Sequence, residues 1–104
     1  MDPHYSYDLG KLSYDDGFFT IVDEIYVKVR LNYAANVMLM EEDEYERYCD
    51  DDSYRYYGGY TKKTPYCITV PYSGRWILVI DNGGDDMDGI EASVQTRTRT
   101  HDRF

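Results

Sequence analysis

The sequence predicts an all-β domain, an antiparallel β-sandwich or small barrel with one short helix near residues 41–49. Two observations lead there. Apolar residues recur with period two in several short stretches, and Gly, Pro, Asn and Asp signals separate those stretches without any long amphipathic helix between them. At 104 residues the chain reads as a single domain, 1–104, because compact domains of about 100 to 150 residues hold one core. Its 42% hydrophobic and 16% aromatic content suffices for that core even with 30% charged residues.

Asp15-Asp16-Gly17 reads as a turn ahead of the first long apolar element, Phe18 to Leu31. There Ile25, Val27, Val29 and Leu31 alternate with Tyr26, Lys28 and Arg30, the pattern of a half-buried strand. Ala34 to Met40 follows Asn32-Tyr33 and suits a second strand reached by a turn, with Ala and Met leaving a helix open. Met40, Tyr45 and Tyr48 lie close to helical spacing, so the acidic segment after Met40 suits one or two helical turns. Gly58-Gly59 reads as a break in the tyrosine-rich stretch. Pro65 and Pro71 bracket a short strand in which Tyr66, Ile68 and Val70 alternate. Arg75 to Asp81 is apolar at five consecutive positions and predicts a central strand covered on both faces. Asn82-Gly83-Gly84 leaves it through a Gly-rich turn, and Gly89 to Gln95 returns with Ile90, Ala92 and Val94 on one side, which predicts a hairpin. The tail is expected to fray from about residue 97 because of Asp102.

The formal charge is −9, which argues against direct binding to nucleic acid or to an anionic membrane and points to a cationic partner. Through Ser53 there are 14 acids against 4 bases, and from Tyr54 onward 6 acids against 7 bases. The centre of the negative charge is EEDEYERYCDDD, eight carboxylates in twelve positions: Glu41, Glu42, Asp43, Glu44, Glu46, Asp50, Asp51 and Asp52. On a helix the five from Glu41 to Glu46 would lie along roughly 9 Å, approaching the phosphate density of duplex DNA at about one charge per 1.7 Å. The plainer reading is a solvated, solubilising loop. Tyr54, Tyr56, Tyr57, Tyr60 and Tyr66 crowd the thirteen positions that follow, and tyrosine supplies stiff, amphipathic contact area. Part of that group must cover the sheet.

Cys49 and Cys67 have neither a C-x-x-C spacing nor accompanying histidines, so free thiols are expected over a disulfide. No basic-plus-apolar leader opens the chain and no 18-residue apolar run occurs, so a cytoplasmic location is expected. His4 and His101 sit near the termini, which leaves no evident nucleophile and base pair and predicts a protein that is not an enzyme. Asp81, Asp85, Asp86 and Asp88 offer hard oxygen ligands, but their spacing is not that of a Ca²⁺ loop and reads as a polar connection. Gly58-Gly59 before Lys62-Lys63 lacks the context of a phosphate loop. No cofactor and no metal are expected.

The series NAANVMLM, YRYYGGYTKKTPYCITVPYSGRW and VIDNGG, with Tyr7-Asp8-Leu9-Gly10 near the start, resembles a small bacterial family known as domain of unknown function 1883. The resemblance runs from about Tyr5 to Val94 and implies a compact β domain, in some members joined to TIR signalling domains in bacterial defence. It leads one to expect a neutral or basic segment where this chain has EEDEYERYCDDD. Small acidic inhibitors of bacterial defence, anti-CRISPR proteins among them, share that composition.

Two readings follow. In the first, the chain is a non-enzymatic inhibitor that occupies the basic channel of a nucleic-acid-binding protein. The eight carboxylates stand in for phosphates, and Tyr45, Tyr48, Tyr54, Tyr56 and Tyr57 pack beside Arg and Lys of the target. A continuous negative strip from residues 41–52 to Asp15, Asp16, Asp23 and Glu24 is then expected. In the second, Gly58, Gly59, Lys62, Lys63, Arg75 and Trp76 form a pocket for a sugar or nucleotide in an adaptor domain. A self-associating structural protein, a homodimer for example, is a third.

Overall fold

The computed structural model describes residues 2–15 and 18–103, so the turn expected at 15–17 falls mostly outside the described residues. Seven strands and one helix are found among them: β1 (His4–Leu12), β2 (Thr20–Leu31), β3 (Ala35–Glu41), α1 (Glu42–Cys49), β4 (Tyr57–Thr61), β5 (Tyr66–Thr69), β6 (Gly74–Asp81) and β7 (Ala92–Asp102). They form two antiparallel sheets, ordered β1-β6-β3-β4 and β5-β2-β7, with α1 against the outer face of the first. The all-β, sandwich-like architecture with a single short helix is therefore the one the pattern predicts.

Strand periodicity explains the core. Val37 and Leu39 of β3 and Trp76, Leu78 and Ile80 of β6 point inward and meet Ile25, Val27 and Val29 of β2 with Ile68 and Val70. The intervening residues, Met38, Met40, Ile77 and Val79, point the other way and are buried under Tyr45, Tyr48, Cys49 and Tyr54. Burial on both faces is why β6 is apolar without interruption. An eight-residue helix is marginal in water by itself. Each buried large apolar side chain contributes roughly 1.5–3 kcal/mol, so the contact of Tyr48 with this second cluster is what holds α1 in place.

Three expectations are corrected, and one strand lies where none was assigned. β6 does not form a hairpin with the segment that follows it: β6 pairs with β1 and β3, whereas β7 pairs with β2. The residues between Asp81 and Ala92 carry the chain from one sheet to the other, and Met87 and Ile90 anchor that crossing in the core. Gly58 and Gly59 are not a turn but lie inside β4, opposite Met38 and Val37. The residues beyond 97 are strand and not a loose tail, because β2 begins at Thr20 and pairs with β7 as far as Asp102. Finally, the opening residues form β1, where Tyr5, Tyr7 and Leu9 pack on the core; their alternation with Ser6 and Asp8 carries the period-two signal.

Candidate functional site

The site lies on the α1 side of the four-stranded sheet. Glu42, Asp43 and Glu44 occupy the first turn of α1, where carboxylates are favoured by the positive end of the helix dipole. Tyr48 is buried and Tyr45 and Cys49 are packed inward, so the charged positions face out. Glu42, Glu46 and Asp50, four residues apart and all exposed, make one stripe along the helix. Asp51, in the left-handed region at φ 56°, and Asp52 carry the charge around the turn that follows.

The tract is partly answered by the chain's own cations. Arg75 Nε donates to Glu42 Oε2 at 2.8 Å, with both side chains more than half exposed. Such a pair contributes at most about 1 kcal/mol. Glu44 accepts from the Arg55 backbone N–H at 2.8 Å, and Arg47 lies on the same helix.

Between the C-terminal end of α1 and the end of β6 is a cleft of about 200 Å³ lined by Asp2, Tyr48, Asp51, Asp52, Tyr54 and Asp81. Asp81 is its buried base. Its Oδ2 accepts from the Tyr48 hydroxyl at 2.7 Å, and its Oδ1 from Asn36 Nδ2 at 2.8 Å and the Gly83 N–H at 3.1 Å. Burial first, then the hydrogen bond to Asp81 and its charge, push the Tyr48 phenol well above its ordinary value. Burial and then the charge of Asp81 also raise Tyr54. Both hydroxyls hold their protons.

Aromatic rings extend the cleft into a row. His4 Nε2 and the Tyr45 hydroxyl are 2.9 Å apart, and the His4 ring meets Tyr48 edge-on at 5.1 Å. Tyr54 meets Tyr48 edge-on at 5.1 Å and leads to Tyr56 at 5.7 Å. Tyr57 stands apart from this row, against Trp76 at 5.9 Å. Carboxylates beside aromatic faces suit a guanidinium or ammonium, which gains charge-assisted hydrogen bonds from the first and cation–π attraction from the second. Among the described residues, no group of three or more His, Cys, Asp and Glu is arranged to hold a metal ion.

The negative surface takes a different course from the one expected. Asp23 and Glu24 lie on the other sheet, where Asp23 accepts from His101 Nδ1 at 2.7 Å and Glu24 lies 3.9 Å from Arg99. Asp16 is outside the described residues. The surface runs instead from Asp51 and Asp52 through Asp2 toward the loop carrying Asp85 and Asp86, since a side chain at Gly84 would meet the Asp2 carboxylate at 3.9 Å.

The alternative pocket is not assembled. Trp76 is fully buried and donates from Nε1 to the Tyr72 carbonyl at 3.1 Å. Trp76 lies opposite Glu41 at one end of β3, and Arg75 beside it is engaged by Glu42. Thr61, which precedes Lys62 and Lys63, lies opposite Ala35 at the other end, six residues or roughly 20 Å away. Gly58 and Gly59 fall between these groups. Cys49 and Cys67 are both free, one on α1 and one on the outer face of the second sheet. No helix among the described residues is long and apolar enough to cross a membrane.

Sequence reasoning missed Asp2, His4 and the role of Asp81. A single carboxylate closing an apolar strand is a signal for the last of these, because a buried acid demands donors. Compared with known proteins, residues 7–99 match the model of a family described as Domain of unknown function (DUF1883). No curated protein and no solved structure matches the chain.

Proposed function

The chain belongs to the DUF1883 family, described only by its unknown function, and we propose that this member is a non-enzymatic inhibitor that blocks a basic, nucleic-acid-binding surface of a partner protein. The α1 stripe meets the partner's cations at the rim, and the cleft beside Tyr48 and Tyr54 receives one Arg or Lys. The observation that carries the reading is that cleft, in which Asp2, Asp51 and Asp52 converge with two tyrosine rings. Rim carboxylates are worth little individually in water and act on the encounter rate. A guanidinium in the cleft, against the edge of the Tyr48–Tyr54 pair and beside Asp2, Asp51 and Asp52, is partly desolvated and gains more. An inhibitor of the anti-CRISPR type acts in this way, by holding the groove that a nucleic acid would fill. A cytoplasmic setting fits such a partner.

The test is competition. A labelled oligonucleotide is bound to basic nucleic-acid-binding proteins captured from a bacterial extract, and the chain is added. Displacement is expected, weakening strongly between about 50 and 200 mM salt and falling at least tenfold in the Glu46→Lys/Asp51→Lys/Asp52→Lys variant. Equal displacement by that variant removes the reading.

A further inference from the structure

The side of the molecule opposite α1 is basic. Ile25, Val27 and Val29 point into the core, so Glu24, Tyr26, Lys28 and Arg30 stand on the outer face of the β5-β2-β7 sheet. The pairing of β2 with β7 sets Arg99 opposite Glu24, Arg97 opposite Tyr26 and Gln95 opposite Lys28, and residues directly opposed across an antiparallel pair share a face. Four cations and one carboxylate thus share a surface of a protein whose formal charge is −9. Arg99 is 3.9 Å from Glu24, while Lys28 and Arg30 have no carboxylate partner among the described residues.

The dimensions of this face restrict what it can hold. From Arg30 to Glu24 is roughly 20 Å, and three strands are roughly 10 Å across. An acid closes each end: Asp23, held by His101, at one, and Glu91 beside Arg30 at the other. A long polyanion would overrun the cations into these carboxylates. An anionic segment that ends within the face would not. α1 is such a segment: eight residues span about 12 Å with a diameter near 10 Å, and the Glu42, Glu46 and Asp50 stripe faces solvent. It sits on the far side of the sandwich from the basic face, out of reach within one molecule.

We infer that the outer face of the β5-β2-β7 sheet docks the α1 stripe of a second copy, head to tail. Such contacts repeat without closing, so the product is short chains of molecules, not a symmetric dimer. The face is small against the roughly 800 Å² per partner of a standard interface, so association is weak, electrostatic and visible at high protein concentration. The inference needs only the two charged faces and does not depend on the partner proposed above. It adds that self-association covers the acidic stripe and competes with that partner.

Light scattering at high concentration tests it. The native chain is expected to exceed 12.3 kDa at about 0.01 M ionic strength, where the Debye length is about 30 Å, and to return to the monomer mass at about 1 M, where it is about 3 Å. Lys28→Glu/Arg97→Glu removes the basic face and Glu46→Lys/Asp50→Lys removes the stripe, and each variant alone is expected to stay monomeric. Mixed, they are expected to associate in equal proportion, because one retains the helix and the other the face. A milder Lys28→Gln/Arg97→Gln pair, losing association while keeping the native melting curve, covers the case in which charge reversal disturbs the fold. A native chain monomeric at low salt, association indifferent to salt, or no complex in the mixture would each overturn the inference. So would a monomeric native chain that binds an oligonucleotide through Lys28 and Arg97, which would give the face to a nucleic acid.

Discussion

Asp81 shows how much one residue can decide. It is 6% exposed and accepts three hydrogen bonds, from Tyr48, Asn36 and the Gly83 backbone, tying α1, β3 and the crossing loop to the end of β6. Asp81→Ala leaves buried donors without an acceptor and is expected to cost about 3 kcal/mol, read as a lower melting temperature. Tyr48→Phe keeps the ring but leaves the carboxylate one donor short, at about 2 kcal/mol. The Tyr48 phenol is raised above its ordinary value of 10.0 in the folded state, so folding favours the protonated form. That stabilisation is whole below pH 10.0 and is lost as pH rises beyond it. Native stability should therefore fall more steeply above that point than the stability of Tyr48→Phe, as urea unfolding at stepped pH would record; identical slopes would contradict the assignment. In the sequence, Asp81 is one of four acids around a Gly-rich loop. Only the pairing of β6 between β1 and β3 separates it from its solvated neighbours.

At the scale of elements, period-two alternation correctly indicates β2 and β5, uninterrupted apolar runs correctly indicate β3 and β6, and the thin Met-Tyr stripe correctly indicates α1. The failures concern partners. Asn82-Gly83-Gly84 has the chemistry of a tight hairpin, yet both flanks of β6 are taken by β1 and β3, so the chain must leave the sheet. Gly-Gly in β4 was open to the same misreading, because a glycine pair signals a turn more often than a close approach of strands. Gly58, at φ +110°, is exposed yet has no room for a side chain: a Cβ there would collide with the Val37 carbonyl oxygen and come within 2.9 Å of Ile68 Cδ1. Gly59, at φ +151°, has nothing within 4 Å. Gly58→Ala should thus destabilise by about 3 kcal/mol or more and Gly59→Ala by about 1, compared by thermal melting; equal losses would mean that backbone strain alone matters. β7 is exposed over most of its length beyond Val94, and its pairing with the start of β2 has little core beneath it. Amides of residues 20–24 and 98–102 should exchange with deuterium well before those of β3 and β6.

For the whole molecule, net charge proved a coarse guide. The total of −9 correctly marks an acidic protein, and three of the tract's eight carboxylates, Glu42, Glu46 and Asp50, share one exposed stripe. The value conceals that Lys28, Arg30, Arg97 and Arg99, drawn from two distant stretches, meet on one sheet face. That face depends on which strands pair, a property no local pattern carries. The same long β2–β7 ribbon gives the molecule principal extents of 50 × 28 × 16 Å and a radius of gyration of 14.8 Å, against about 13 Å for an ordinary domain of this length. A slender plate drags more solvent than a sphere of equal mass. On a sizing column calibrated with rounder proteins a lone copy will elute early and read as heavier than it is, so its stoichiometry has to be weighed rather than timed.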